Sequence, residues 1–222
     1  MQGPHSPAPI LTLVAGPNGS GKTTIVTAGL VHAGSLGVLV NADNIATSLA
    51  NRKGEPRPSV DTQWEAAKAA EEMRWSLLSQ GISFATETVM SDGPRWQALV
   101  NEAKIQGYRV VLYFVTTSNP LINVRRVVER VRAGGHAVDP RKVVSRYRKV
   151  MDEVLPEILK YVDEAILFDN SSARRGAVGV LHFKEGKMML LVAPPNLPHW
   201  AFALIVRFLG LDSARKLTNR IA

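Results

Sequence analysis

An apolar run, Ile10 to Ala15 (ILTLVA), leads straight into Gly16-Pro17-Asn18-Gly19-Ser20-Gly21-Lys22-Thr23. The second stretch fits the pattern G-x-x-x-x-G-K-[ST]. A strand before it and a helix after it, predicted from about Lys22 to His32, supply the context that pattern needs. No other feature constrains the fold as much, because the loop works only as the first turn of a strand–loop–helix unit. The glycines let consecutive backbone N–H groups point inward at phosphate oxygens, and the helix start adds partial positive charge. In such a loop Lys22 reaches the β- and γ-phosphates and the Thr23 hydroxyl ligates Mg²⁺. Gly16 to Thr24 therefore form the expected nucleotide-binding set, with ATP and Mg²⁺ as the implied cofactors.

The rest of the chain continues that alternation. Apolar strands are predicted at 37–40, 83–87, 108–115 and 164–169. Helical patterns lie between them, after Asn41, over 60–81, 92–106, 120–133 and 140–161. Asp61 is the expected N-cap of the second of these helices and Gly81 its stop. Strands alternating with helices predict an α/β fold of the P-loop kinase type, a parallel sheet of about five strands flanked by helices. The last fifty residues differ. "AVGVLHFKEGKMMLLVA" (177–193) reads as a β-hairpin turning at Glu185-Gly186, followed by an apolar helix near 199–210. The expected organisation is a flexible Pro-rich tail over 1–9, a kinase-type domain over 10–175, and a hairpin–helix appendage over 176–222 packed on that domain.

Composition narrows the chemistry. Cysteine is absent, so disulfides, thiolate catalysis and thiolate metal sites are excluded. The histidines are scattered without metal-ligand spacing, and no zinc site is expected. The late apolar run is interrupted by Arg207 and too short to span a bilayer, so the default expectation is a cytoplasmic protein with no membrane partner. The net charge is +8, and residues 125–149 carry seven Arg and two Lys against Glu129 and Asp139, or +7 of it. Such a concentrated basic window points to an anionic partner. Arg126 and Arg130 share a helix face, and Arg130 and Arg141 flank a Gly134-Gly135 break. Guanidinium forks over a nucleotide would neutralise charge on a migrating phosphoryl group, making 125–148 a candidate lid. A solvated helix face with an ordinary glycine turn is the competing reading.

Two carboxylates follow strand ends. Asp43, in "VLVNADNIA", is placed to accept a proton from a hydroxyl, to help hold Mg²⁺, or simply to cap the next helix. Glu87, in "SFATETVMS", sits among Thr86, Thr88 and Ser91 and suits a polar substrate or a water on Mg²⁺; the alternative is capping by Thr88 or Ser91. Asp169 and Asn170 close the last strand and are assigned to adenine contact or to a cap.

Taken together, "GPNGSGKTT", "VNADNIA", "FATETVMS" and "RVRAGGHAVDPRKVVSRYRKVM" resemble the zeta-toxin family of P-loop kinases over residues 9–175. The resemblance implies phosphorylation of a hydroxyl on UDP-N-acetylglucosamine or a related metabolite, by a toxin with a neutralising antitoxin. It assigns Lys22 to the phosphates and Asp43 to the catalytic base. It gives Glu87, with Thr88, to the substrate side, and Arg130 and Arg146 to the phosphate clamp. Asn41 and Ile45 stand where the well-studied toxins carry an Asp and an aromatic residue. An ABC-like ATPase is the alternative the loop suggests, but no Leu-Ser-Gly-Gly-Gln signature or terminal Asp-Glu strand accompanies it. A nucleic-acid end kinase or binding module is the other alternative. Tyr147 is the sole aromatic interleaved with the basic window, which argues against base stacking.

Overall fold

The structure, a computed structural model, describes residues 7–27, 37–133, 135 and 137–219. The strands are β1 (Ile10–Ala15), β2 (Val38–Val40), β3 (Phe84–Thr88), β4 (Arg109–Thr116), β5 (Glu164–Asp169), β6 (Val178–Lys184) and β7 (Lys187–Leu190). They form one sheet in the order β2-β3-β1-β4-β5-β6-β7. The first five are parallel, as the alternating pattern requires. The expected hairpin is present but is not a separate layer: β6 pairs antiparallel with β5 and carries the sheet outward. Its turn sits at Glu185 and Gly186, both with positive φ (51° and 73°).

Side chains alternate across β4. Val110, Leu112 and Phe114 enter one core with Leu11, Leu13 and Phe84 of the neighbouring strands, while Val111, Tyr113 and Val115 enter another with Val14. Burial on both faces explains why "VVLYFV" reads as a continuous apolar run rather than an alternating one. The helices are α1 (Lys22–Thr27), α2 (Ala42–Lys53), α3 (Val60–Ser79), α4 (Gly93–Ile105), α5 (Pro120–Arg132), α6 (Pro140–Lys149), α7 (Leu155–Ile158), α8 (His199–Leu209) and α9 (Leu211–Asn219). The predicted continuation of α1 to His32 lies outside the described residues, as do residues 1–6 of the expected tail and Gly134. The single helix expected over 140–161 is α6 and α7 joined by a π-helical turn, Val150–Val154. Ala201, Leu204 and Ile205 of α8 and Ala214 of α9 join the larger core. Among the described residues no helix is long and apolar enough to cross a membrane.

The expected cap of α3 moves, and so do the caps offered as alternatives for α2 and α4. Ser59, not Asp61, caps α3: its extended backbone lets Oγ accept from Thr62 N, whereas Asp61 already lies in the first turn. Asp92, not Thr88 or Ser91, caps α4. Asn41, not Asp43, caps α2, its side chain accepting from Asp43 N and Asn44 N. Each true cap is the last residue before the helix with non-helical backbone, the condition under which a short side chain folds back onto the free N–H groups.

Candidate active site

The strand register assembles the site. Ala15 pairs with Thr88 and Val14 with Glu87, while Val40 pairs with Thr86. The chain therefore leaves β1 as the phosphate loop, and leaves β2 as Asn41, on either side of the end of β3. Gly16 N donates to Thr88 O at 3.2 Å, tying the first loop residue to that end.

The loop is wedged into its neighbours. A Cβ on Gly19 (φ +74°) would lie 2.5 Å from Asn123 O, and one on Gly21 (φ +96°) 2.2 Å from Asn170 Nδ2. Asn123 Nδ2 donates to Asn18 O and Asn170 Nδ2 to Ser20 O, each at 2.8 Å. Asn170 thus braces the loop from β5. Asp169 accepts from Ser171 N and Oγ and from Trp200 Nε1 of α8. Neither residue lines the main cavity, and the Asp169 carboxylate is engaged by Ser171 and Trp200.

That cavity encloses about 450 Å³. At the loop end it is lined by Asn18, Gly19 and Lys22. Lys22 Nζ donates to Gly16 O at 3.0 Å and, more weakly, to Pro17 O at 3.4 Å. Its enclosure lowers its proton affinity. Glu87 and Asp43 oppose that shift by raising it, and Arg130 adds to it. Glu87 is held above the usual carboxylate range chiefly by burial. Lys22 works against that shift, Asp43 adds to it, and a hydrogen bond from the Thr23 hydroxyl and the Arg130 charge oppose it. Lys22 and Glu87 therefore feel each other, and both feel Asp43 and Arg130.

Asn41 links the two acids. Its Oδ1 accepts from Asp43 N at 2.8 Å while its Nδ2 donates to Glu87 Oε2 at 3.0 Å. An amide can do both, whereas an ionised carboxylate there could only accept. The result fixes Asp43 in the first turn of α2, with its side chain exposed, beside a half-buried Glu87. Thr88 and Ser91 line the same cavity, and Thr88 Oγ1 accepts from Met90 N. Thr86 does not; it is fully buried in the sheet.

The basic window divides. Arg130 and Arg146 line the cavity, and Arg146 Nη1 reaches Asn18 Oδ1 at 3.4 Å. Arg141 and Arg125 are exposed, and Arg125 pairs with Glu129. Arg126 is partly buried, outside the cavity lining. Gly135 N donates to Arg130 O at 2.9 Å, and a Cβ on Gly135 would lie 2.6 Å from Arg130 Cγ. The glycine lets the chain turn closely around the Arg130 stem.

The far end of the cavity holds residues the sequence did not suggest: Gln63 and Arg74 of α3, and Arg95 and Trp96 of α4. One signal was available. Thr62, Ala66, Ala70, Arg74 and Leu78 fall every four residues on the buried face of α3, and Arg74 is the charge in that stripe.

The family model for zeta toxin matches residues 2–182, four-fifths of the chain. The chain belongs to the zeta toxin family. An uncharacterised protein of Haemophilus influenzae is 27% identical over 132 residues, which is 60% of this chain and 88% of that one. A similar solved structure is the AvrRxo1-ORF1:-ORF2 complex with ATP, with TM-score 0.62 and 20% identity over 95% of this chain and 63% of that one. Another is the PezAT chromosomal toxin–antitoxin system of Streptococcus pneumoniae, with TM-score 0.57 and 20% identity over 97% of this chain and 88% of that one. At these identities the structural likenesses speak for the fold, a mostly parallel sheet flanked by helices, which this zeta toxin family member shares.

Proposed function

We propose that this chain is a kinase that transfers the γ-phosphate of ATP to a hydroxyl of a small metabolite. The observation that carries the reading is the convergence of Lys22, Asp43, Glu87, Arg130 and Arg146 on one cavity at the mouth of the phosphate loop. Asp43 is the exposed carboxylate of the set and suits the base. It takes the proton as the substrate oxygen bonds to the γ-phosphorus and the bond to the β-phosphate oxygen breaks, releasing ADP. Lys22, Arg130 and Arg146 supply positive charge where the migrating group carries its negative charge. The loop from Gly16 to Thr24 would cradle the nucleotide. Mg²⁺ would be held by Thr23 and the nucleotide phosphates, with Glu87 next to it, and would neutralise phosphate charge; the hydrogen bond between Thr23 and Glu87 supports that placement. Glu87 and Thr88 face the acceptor side.

Family membership and the resemblance to characterised toxins favour a nucleotide-sugar hydroxyl of the UDP-N-acetylglucosamine kind as acceptor. They also favour a role in the cytoplasm as the toxin of a toxin–antitoxin pair. One experiment tests both the acceptor and the base. The protein is incubated with ATP, Mg²⁺ and UDP-N-acetylglucosamine or a metabolite extract, and products heavier by one phosphate are sought by mass spectrometry. Asp43→Asn is expected to lower transfer by about 10²- to 10⁴-fold while ATP still binds. Undiminished transfer by that variant rules out Asp43 as the base, and no phosphorylated product from wild type rules out the kinase.

A further inference from the structure

The far end of the cavity contains a buried charge that phosphoryl transfer itself does not use. Arg74 is only 7% exposed and lies on the inward face of α3. Its guanidinium stacks on the indole of Trp96, 5.1 Å from the ring centroid. Glu71, one turn earlier, draws on it electrostatically but is taken in a salt bridge by Arg95. Among the described residues no carboxylate lies within ion-pair distance of Arg74. Burial and the neighbouring Arg95 together press its proton affinity down, to a pKa of about 10. The other acid at this end, Asp92, accepts from Arg95 N as the cap of α4. Burying a guanidinium without an anion is costly, and that cost persists only where something offsets it.

We infer that Arg74 and Arg95 form an anion subsite that holds a phosphate or diphosphate group of the acceptor, with its hydroxyl toward Asp43 and Lys22. The Arg74 guanidinium lies over the Trp96 ring, and both residues line the cavity, so packing holds the planar fork at its wall. Arg95 approaches from a different helix. Its Nη2 is held by Glu71, and its other N–H groups remain for a ligand. Guanidinium groups from two helices suit a group with three or more acceptor oxygens better than a carboxylate, which one fork saturates. Calling that group part of the acceptor rests on the kinase reading; the anion binding does not. What the subsite adds to that reading is the pair of residues that would hold the acceptor's phosphates, and the neutral sugar or polyol alone is a poor substrate.

Inorganic pyrophosphate is the probe. It is titrated calorimetrically into the full-length protein after the phosphate loop has been saturated with a non-hydrolysable ATP analogue and Mg²⁺. Wild type is expected to show one binding event. Arg74→Gln and Arg95→Gln should each weaken it about tenfold or more, with the affinity for the analogue unchanged. Arg74→Lys keeps the charge but not the fork and should fall between. Arg95, more accessible than Arg74, carries the test should Arg74→Gln fail to fold. In kinetics, KM for a phosphate-bearing acceptor such as UDP-N-acetylglucosamine should rise in these variants while KM for ATP holds. Absence of the event in wild type overturns the subsite, as does an event of equal strength in both Gln variants. An event that Lys22→Ala removes and the Gln variants keep belongs to the phosphate loop and overturns it too. If the analogue does not bind but pyrophosphate still binds in an Arg74-dependent way, the kinase reading fails and the subsite stands.

Discussion

The two ends of the cavity are made of different material. The end nearest β1 is backbone: a loop whose glycines are pressed against Asn123 and Asn170 and whose carbonyls hold Lys22. The opposite end is side chain: Arg74 on α3, Arg95 and Trp96 on α4, with Asn41 and Asp43 from the start of α2 lining the same cavity. Backbone held by packing tolerates almost no change of residue type, and on the proposed kinase reading it would serve a polyphosphate, the portion that is the same for every nucleoside triphosphate. Side chains on helices can be exchanged without disturbing the sheet. On that reading one fold would keep its donor and vary its acceptor.

The largest expected effect tests the rigid end. In Gly19→Ala the new Cβ would lie 2.5 Å from a backbone oxygen, in a left-handed conformation. The conformation alone costs about 1–3 kcal/mol. Asn123 O belongs to α5 and cannot swing aside as a side chain would. Chemical denaturation should show the loss, and ATP affinity should fall on the order of 100-fold because the loop is displaced. Retention of wild-type ATP affinity would mean the loop has slack, and the contrast between the ends would collapse.

That contrast also explains what the sequence revealed. A backbone cradle needs glycine at fixed spacing, so it is written in consecutive letters and was readable. So were the five parallel strands, each an apolar run between helical patterns, and the ends where Asp43 and Glu87 sit. The far end draws Gln63, Arg74, Arg95 and Trp96 from two helices separated by β3, and no local spacing brings them together. The caps shifted for a related reason. Asp61 and Asp43 have the right residue type, but capping is decided by which residue is last to keep extended backbone, and that depends on where the preceding loop arrives. The hairpin was legible from its turn, but its pairing with β5 was not, since pairing is a tertiary choice.

A middle-sized effect tests the joint between the ends. Asn41→Ala removes the α2 cap, worth about 1 kcal/mol, and strips Glu87 of its amide partner. Stability should drop by about 1–2 kcal/mol. Phosphoryl transfer should fall roughly tenfold as Asp43 loses its fixed position, with ATP affinity unaltered. Asn41→Asp sharpens the result. It restores the cap but sets a second carboxylate against Glu87, so it should recover the stability of the helix while moving the activity profile to higher pH. Loss of ATP affinity in step with transfer would show that Asn41 serves the whole cavity rather than its acceptor side.

The smallest effect lies at the boundary itself, in Glu87. Its carboxyl is held above the ordinary range mainly by burial. The folded protein therefore keeps a proton there that the unfolded chain has released, and stability falls as pH rises from the unfolded value, about 4.3, to the raised folded one. Above that window the loss is complete; below it the contribution is fully present. Glu87→Gln removes the titration, so the difference between variant and wild-type stability should widen across that window and then level off. Denaturant midpoints at several pH values would show it. The subtraction matters, because Glu55, drawn below its usual range by hydrogen bonds from Ser59 and Thr62, changes stability in the opposite sense as pH falls. A flat difference would mean that Lys22, Thr23 and Arg130 already cancel the burial of Glu87. In that case the donor end would set the charge state of the acceptor end, and the two would act as one electrostatic unit.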